Sequence, residues 1–246
     1  MLEVKEVSKS YMKKWRGKSG KDVLSGITFT LERGDCVGLV GESGSGKSTL
    51  SRLLVGLEKV EKGSIQIEGE KVANWIRKNK GKIGIVFQDY TSSANPRFRV
   101  KEIIGEFLQA FGGNKALDEK IAQLLETVEL PLSVAERYPH ELSGGQLQRV
   151  CIARAISTKP QILVLDEAVS SLDVSIQAQI LELLNNLKKT MNMTILFISH
   201  DIQVVTHLCD KIMFLHKGKI VENIATTKLK NVQHPYAKTL LGTVPQ

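Results

Sequence analysis

The sequence predicts an α/β fold: a parallel-sheet core, an antiparallel β part at the N-terminus and an inserted helical part. Three observations predict it. Short apolar runs alternate with segments of helical period in the last third of the chain, which argues for a parallel sheet covered on both faces. The first ~35 residues instead alternate with period two. Between them, from residue 90 to about 158, the pattern turns polar and then helical.

The elements follow in order. "LEVKEV" and "GITFTLE" are period-two strands separated by the polar run "KKWRGKSGK", residues 13–21, read as an exposed charged loop. "DCVGLV" is a buried strand, and a helix from Lys47 to about Leu57 follows a glycine loop. "GSIQIEGE" alternates again and "KIGIVFQD" is another strand. "VKEIIGEFLQAF", "DEKIAQLLETVEL" and "GQLQRVCIARAI" are the helices of the insertion. "QILVLDEA", "VSIQAQILELLNNLKK", "MTILFISH" and "IQVVTHLC" restore the alternation of strand and helix. Ile176, Ile180, Leu184 and Leu187 share one helix face. "KIMFLHKGKIVEN" is a hairpin turning at Lys217-Gly218.

Bulk properties narrow the class. The 246 residues carry a formal charge of +8, which suits nucleic acid, a membrane surface or an anionic ligand alike. Basic and aromatic residues do not interleave as in single-strand binders. No run approaches the ~20 apolar residues of a membrane span, and the charged N-terminus does not resemble a signal peptide. Cys36, Cys151 and Cys209 lack metal or redox spacing and fit buried thiols in a reducing compartment.

The chemistry concentrates in "GESGSGKST", residues 41–49. Gly41, Gly46, Lys47 and Ser48 meet the pattern G-x-x-x-x-G-K-[ST] between a strand and a helix. Backbone N–H groups of Glu42, Ser43, Gly44 and Ser45 can curl around phosphate oxygens, aided by the positive helix end. Lys47 adds a point charge, Ser48 a hydroxyl for Mg2+, and Thr49 a second hydroxyl. Asp166 ends the apolar strand "ILVLD", where a metal-holding carboxylate is expected, and Glu167 follows. Strand alternation would aim these two carboxylates at different partners.

Further stretches carry a family resemblance. "LSGGQLQR", residues 142–149, resembles the signature of ATP-binding cassette ATPases. Gln88 resembles their Q-loop glutamine, "SSLD" at 170–173 their D-loop, His200 their switch histidine, and Tyr11 the aromatic that stacks on adenine. Together with the glycine loop and the acidic pair, these motifs cover essentially the whole chain in the family's order. The resemblance implies a P-loop NTPase fold of RecA-like type, with residues 1–88 and 159–246 as catalytic core and β subdomain, and 89–158 as helical signature subdomain. It implies that ATP and Mg2+ are bound, with Ser48, Gln88 and Asp166 around the metal, Glu167 as general base, and His200 sensing the γ-phosphate. Ser143, Gly144, Gly145 and Gln146, with Asp173, would act on ATP held by the opposite subunit of a head-to-tail dimer.

"SSANPR" at 92–97 and "HPYAKTLL" at 234–241 resemble segments of the peptide/nickel importer group, and "LDEAVSSLD" looks most like the second nickel-import ATP-binding subunit. The implied role is an ATPase on the cytoplasmic face of the cell membrane, powering import of nickel, or a related metal or chelate. Implied partners are a second, similar ATP-binding subunit, two transmembrane permease subunits and an extracytoplasmic substrate-binding protein, with no nucleic acid. Dipeptide or oligopeptide import is the alternative, and a soluble ATPase acting on nucleic acid or ribosomes a third reading. The chain departs from the group at Tyr90, where Asn-Pro is common, and at Ala168, where peptide subunits have proline.

Overall fold

The computed structural model describes residues 1–11, 22–111 and 116–242; the basic run at 13–21 lies outside them. The chain divides into two compact units, one of Met1–Asn79 with Thr194–Gln246, the other of Lys80–Met193.

The first unit opens with an antiparallel sheet of β1 (Leu2–Ser10), β2 (Asp22–Leu31), β4 (Lys62–Ile67) and β5 (Glu70–Lys71), in the order β2-β1-β4-β5. Leu2, Val4 and Val7 are buried in β1. That inward set slips by one residue because the register shifts after Val4 and Glu6 adopts φ 49°. A bulge thus keeps Val7 on the core face, which strict alternation would have given to Glu6.

Beside this sheet, β3 (Cys36–Val40) lies between β8 (Thr194–Ser199) and β9 (Lys211–His216), parallel to both. Antiparallel β10 (Lys219–Ala225) follows β9. Every residue of β3 and β8 is buried, as expected of strands covered on both faces. Helix α8 (Ile202–Leu208) covers β3 closely: a Cβ on Gly38 would meet Val205 Cγ1 at 2.0 Å. The hairpin turns where expected, with Lys217 at φ 47° and Gly218 at φ 77°, the positive pair a type I′ turn requires.

Helix α1 spans Lys47–Leu54 and is shorter than the sequence suggested. Gly56 at φ 75° ends it, and the N–H groups of Leu57 and Glu58 fold back onto the Arg52 carbonyl; a glycine two residues past the last turn closes a helix at little steric cost. Helix α2 (Val72–Lys78) escaped the sequence reading, because only Val72 and Trp75 are buried in it and its apolar stripe is one turn long. The C-terminal helix α9 is Pro235–Gly242.

The second unit pairs β6 (Ile83–Val86) with β7 (Ile162–Asp166) in parallel. Its helices are α3 (Tyr90–Ser93), α4 (Val100–Ala110), α5 (Leu117–Thr127), α6 (Gly144–Ile156) and α7 (Val174–Met191). On α7, Ile180, Leu184 and Leu187 are buried as expected. Ile176 lies against Gly145 of α6, where a Cβ would stand 2.7 Å from its Cγ2. Arg149 of α6 reaches the Val128 carbonyl beyond α5 (2.8 Å) and the Glu129 carboxylate (2.7 Å). No described helix is long and apolar enough to cross a membrane.

Candidate functional site

In the first unit, strand register assembles the candidate groups. Val40 pairs with Ser199 across the parallel ladder. Gly41 and His200 follow those two residues directly, so the glycine loop and the histidine leave adjacent strands at the same carboxyl edge. That edge is where open α/β sheets receive ligands. His200 is exposed, just before Asp201 caps α8 by accepting from Gln203 N–H.

The loop itself is built by its glycines. Gly44 and Gly46 have φ 77° and 109°, and a Cβ on Gly46 would come within 2.9 Å of the Val23 carbonyl oxygen. Gly46 is the N-cap of α1 and offers no side chain to the first N–H groups, and the first turn holds no acid. The positive end of the helix is therefore offset by no cap and by no acid of its own first turn. Lys47 is only 5 % exposed, and its ammonium donates to the carbonyls of Gly41 (2.7 Å) and Glu42 (3.1 Å). A cation and an uncapped helix start in one loop make a fit for a polyphosphate.

Tyr11 stands in the same unit, 53 % exposed. Its hydroxyl donates to the Glu58 carboxylate (2.6 Å to Oε1) and lies 3.3 Å from Thr49 Oγ1. Anchored at its polar tip, the ring keeps an accessible π face, suited to stacking on a base. Sequence reading did not find Glu58, which lies 47 residues from Tyr11. It also missed Tyr236, whose hydroxyl accepts from the Glu42 N–H at 3.0 Å. Only the resemblance of "HPYAKTLL" drew attention to that segment.

The second unit gathers the carboxylates. Val86 pairs with Leu165, so the chain beyond β6 and the acidic pair leave neighbouring strands at one edge. Asp166 is 4 % exposed at the end of β7. The strand stops there, and Glu167 takes φ 50°. A left-handed turn, rather than strand alternation, therefore aims Glu167, and its carbonyl accepts from Ser170 Oγ at 2.9 Å. A non-glycine residue held at positive φ stores strain that clusters at working sites. Gln88 Nε2 donates to Glu167 Oε2 at 3.0 Å, joining two of the expected site residues. The Asp166 carboxylate and the Gln88 amide oxygen are hard oxygen donors of the kind that suit Mg2+.

Helix α6 begins at the signature. Ser143 is its N-cap: the Ser143 hydroxyl accepts from Gln146 N–H (3.3 Å), and Gln146 Oε1 accepts from Ser143 N–H (3.1 Å). This capping box satisfies two N–H groups from within the signature. Farther along, Arg154 donates to the Ser93 carbonyl (2.5 Å) and hydroxyl (3.2 Å), tying α6 to α3 after Gln88. Asp173 caps α7 by accepting from Ile176 N–H (3.0 Å) and Ser175 Oγ (2.6 Å). Those bonds, the Ser175 one foremost, hold its carboxyl below the usual aspartate value.

The three cysteines are reduced and buried. Cys36 and Cys209, remote in sequence, place their sulfurs 3.5 Å apart in the first unit. Burial pushes the Cys151 thiol up, which keeps it protonated and unreactive.

Comparisons with known proteins accord with this geometry. Residues 24–170 match the family model described as ABC transporter. The chain is 41 % identical over 245 residues to the metal-staphylopine import system ATP-binding protein CntF of Staphylococcus aureus, covering 98 % of each chain. It is 44 % identical over 243 residues to a putative peptide import ATP-binding protein of Brucella abortus, covering 94 % of this chain and 72 % of that one. Its fold is similar to the dimeric ATP-binding cassette MJ0796 in a post-hydrolysis state bound to ADP and Pi. That similarity has a TM-score of 0.81 at 28 % identity and covers 92 % of this chain and 99 % of the other. This chain belongs to the ABC transporter family, as the ATP-binding, ATP-hydrolysing subunit of an importer.

Proposed function

We propose that the chain powers import of a metal ion, nickel or a related metal, or of its chelate, through separate membrane subunits. The observation that carries the ATPase half of this reading is the start of α1, uncapped by any side chain and carrying the Lys47 ammonium. The similarity to a metal-staphylopine import subunit along 98 % of both chains supports the cargo.

Each residue has a role in this reading. Tyr11 stacks on adenine. The loop Gly41 to Gly46, with Lys47 and Thr49, holds the phosphates through those amides not spent within the protein, the Glu42 N–H being taken by Tyr236, and Ser48, Gln88 and Asp166 would hold Mg2+. Bound there, Mg2+ would spread the charge of the phosphates. Glu167 orients a water and takes its proton as the water oxygen bonds to the γ-phosphorus and the bond to ADP breaks. Gln88 donates to Glu167 and keeps it placed. His200 contacts the γ-phosphate and registers its loss.

Ser143, Gly144, Gly145, Gln146 and Asp173 act on the nucleotide of a second, similar ATP-binding subunit. Residues 1–88 and 159–246 form the catalytic core and 89–158 the helical signature part of one ATPase domain. The assembly is completed by two transmembrane permeases and an extracytoplasmic binding protein, with the ATPase on the cytoplasmic face of the membrane.

Peptide import is the second reading, favoured by the 44 % identity to a putative peptide import subunit. Uptake in cells lacking the chain separates the two. Loss of radioactive nickel uptake, restored by the wild-type chain and not by Lys47→Ala, is the expected result. Loss of labelled dipeptide uptake alone would transfer the same machinery to peptides. Loss of neither would sink both import readings.

A further inference from the structure

The C-terminal segment reaches the phosphate loop through one atom. Tyr236 accepts from the Glu42 N–H at 3.0 Å, across 194 residues of sequence. The Gly41–Glu42 peptide is therefore held at both edges. Lys47 donates to its carbonyl at 2.7 Å, while Tyr236 accepts from its N–H. In a trans peptide these two groups point in opposite directions, so the two bonds together fix the tilt of the plane.

Tyr236 is itself seated from three sides. Its ring lies 3.9 Å, centroid to centroid, from that of His216 at the end of β9. Its N–H donates to His234 Nδ1 at 3.2 Å. Glu222 of β10 accepts from the N–H groups of Gln233 (2.9 Å) and His234 (2.8 Å), fixing the turn into α9. The same hairpin holds the far side of the loop, where Gly218 N–H donates to the Ser45 carbonyl at 3.1 Å. Burial pushes the Tyr236 phenol up, so its oxygen stays a neutral hydroxyl at ordinary pH.

Consider what happens when a polyphosphate enters. The Lys47 ammonium turns to it and releases the Gly41 and Glu42 carbonyls. The Tyr236 bond then restrains the peptide alone. Without it the plane can rotate and bring a carbonyl oxygen toward the phosphates, where its partial negative charge repels them.

We propose that Tyr236 is a positioning residue for the phosphate loop, holding the Gly41–Glu42 peptide in its nucleotide-receiving orientation and so setting affinity for ATP. This rests on the reading of residues 41–49 as the phosphate seat.

The test compares Tyr236→Phe, Glu222→Gln and Lys47→Ala in the full chain by MgATP titration, and in the assembled transporter by steady-state ATPase. Tyr236→Phe keeps the ring and its stacking but loses the acceptor. It is expected to weaken MgATP binding and raise KM about three- to tenfold, the range for one net hydrogen bond. The maximal rate and the unfolding midpoint should stay near wild type. Glu222→Gln, which loosens the seat of the segment, should move KM the same way by less. A lower maximal rate and a lower midpoint with KM unchanged would make Tyr236 a mere strut and overturn the proposal. So would an unchanged affinity in Tyr236→Phe while Lys47→Ala loses binding, and the phosphate seat would then stand. Undiminished binding in Lys47→Ala would overturn the seat and this proposal together.

Discussion

Helices α1 and α6 begin in opposite ways, although both open on a small-residue run. Helix α1 starts at Gly46, with φ 109° and no side-chain cap. Helix α6 starts at Ser143, with a complete capping box made by Ser143 and Gln146. The first has no side-chain cap and carries a cation, Lys47, at its first position. The second satisfies two N–H groups itself, those of Ser143 and Gln146, and holds no cation in its first turn. In the proposed reading, the start that receives phosphate from its own chain's nucleotide carries no side-chain cap, and the start that would meet phosphate only on assembly keeps an internal partner until then, which spares the separate subunit part of the cost of orphaned donors.

The largest expected effect sharpens this division between holding nucleotide and cleaving it. Glu167→Gln removes the proposed base while leaving α1 and Lys47 untouched. Hydrolysis by the assembled transporter should fall about 10²- to 10⁴-fold, the usual worth of general-base assistance. MgATP affinity should stay within about twofold, since the proposed phosphate and metal contacts of Lys47, Ser48, Gln88 and Asp166 keep their side chains. An equal loss of affinity in a titration would collapse the distinction.

Next comes a change at the open helix start. Gly46→Ala places a Cβ 2.7 Å from Leu24 Cδ2 and 2.9 Å from the Val23 oxygen, at a φ that alanine avoids. Backbone strain and crowding together should lower unfolding stability by about 2–4 kcal/mol in chemical denaturation. A loss below about 0.5 kcal/mol would mean that the loop relaxes easily and is no rigid seat.

The smallest effect falls on the self-capped start. Ser143→Ala removes one half of the box and should lower stability by about 1 kcal/mol. MgATP affinity of the separate chain should not change, whereas ATPase activity of the assembled transporter should fall. A loss of affinity in the separate chain comparable to that of Lys47→Ala would place the signature on its own chain's nucleotide, against the head-to-tail reading.

Much of this was legible beforehand, for a specific reason. A phosphate seat needs consecutive backbone N–H groups, a cation and a hydroxyl within one turn, so residues 41–49 can be read as a continuous string. The acidic pair at a strand end and the serine-glycine start of α6 are equally local. The strands of the parallel sheet were legible because burial on both faces leaves unbroken apolar runs such as "CVGLV" and "ILVL". The end of α1 was misjudged because "LLVGL" continues the apolar pattern through Gly56, and only backbone conformation shows that the helix has stopped at Leu54.

The sequence by itself determined which chemistry this chain carries, since the residue types at the phosphate loop, Asp166, Glu167 and the signature are set by short-range geometry. Tertiary structure decided how those groups are held. It brought Glu58 to Tyr11, Tyr236 to Glu42 and Cys36 to Cys209, and it aimed Glu167 by a left-handed turn. These pairings join residues from 47 to 194 positions apart. No local periodicity encodes such partners, because which side chains meet depends on how strands and helices pack, not on their spacing along the chain.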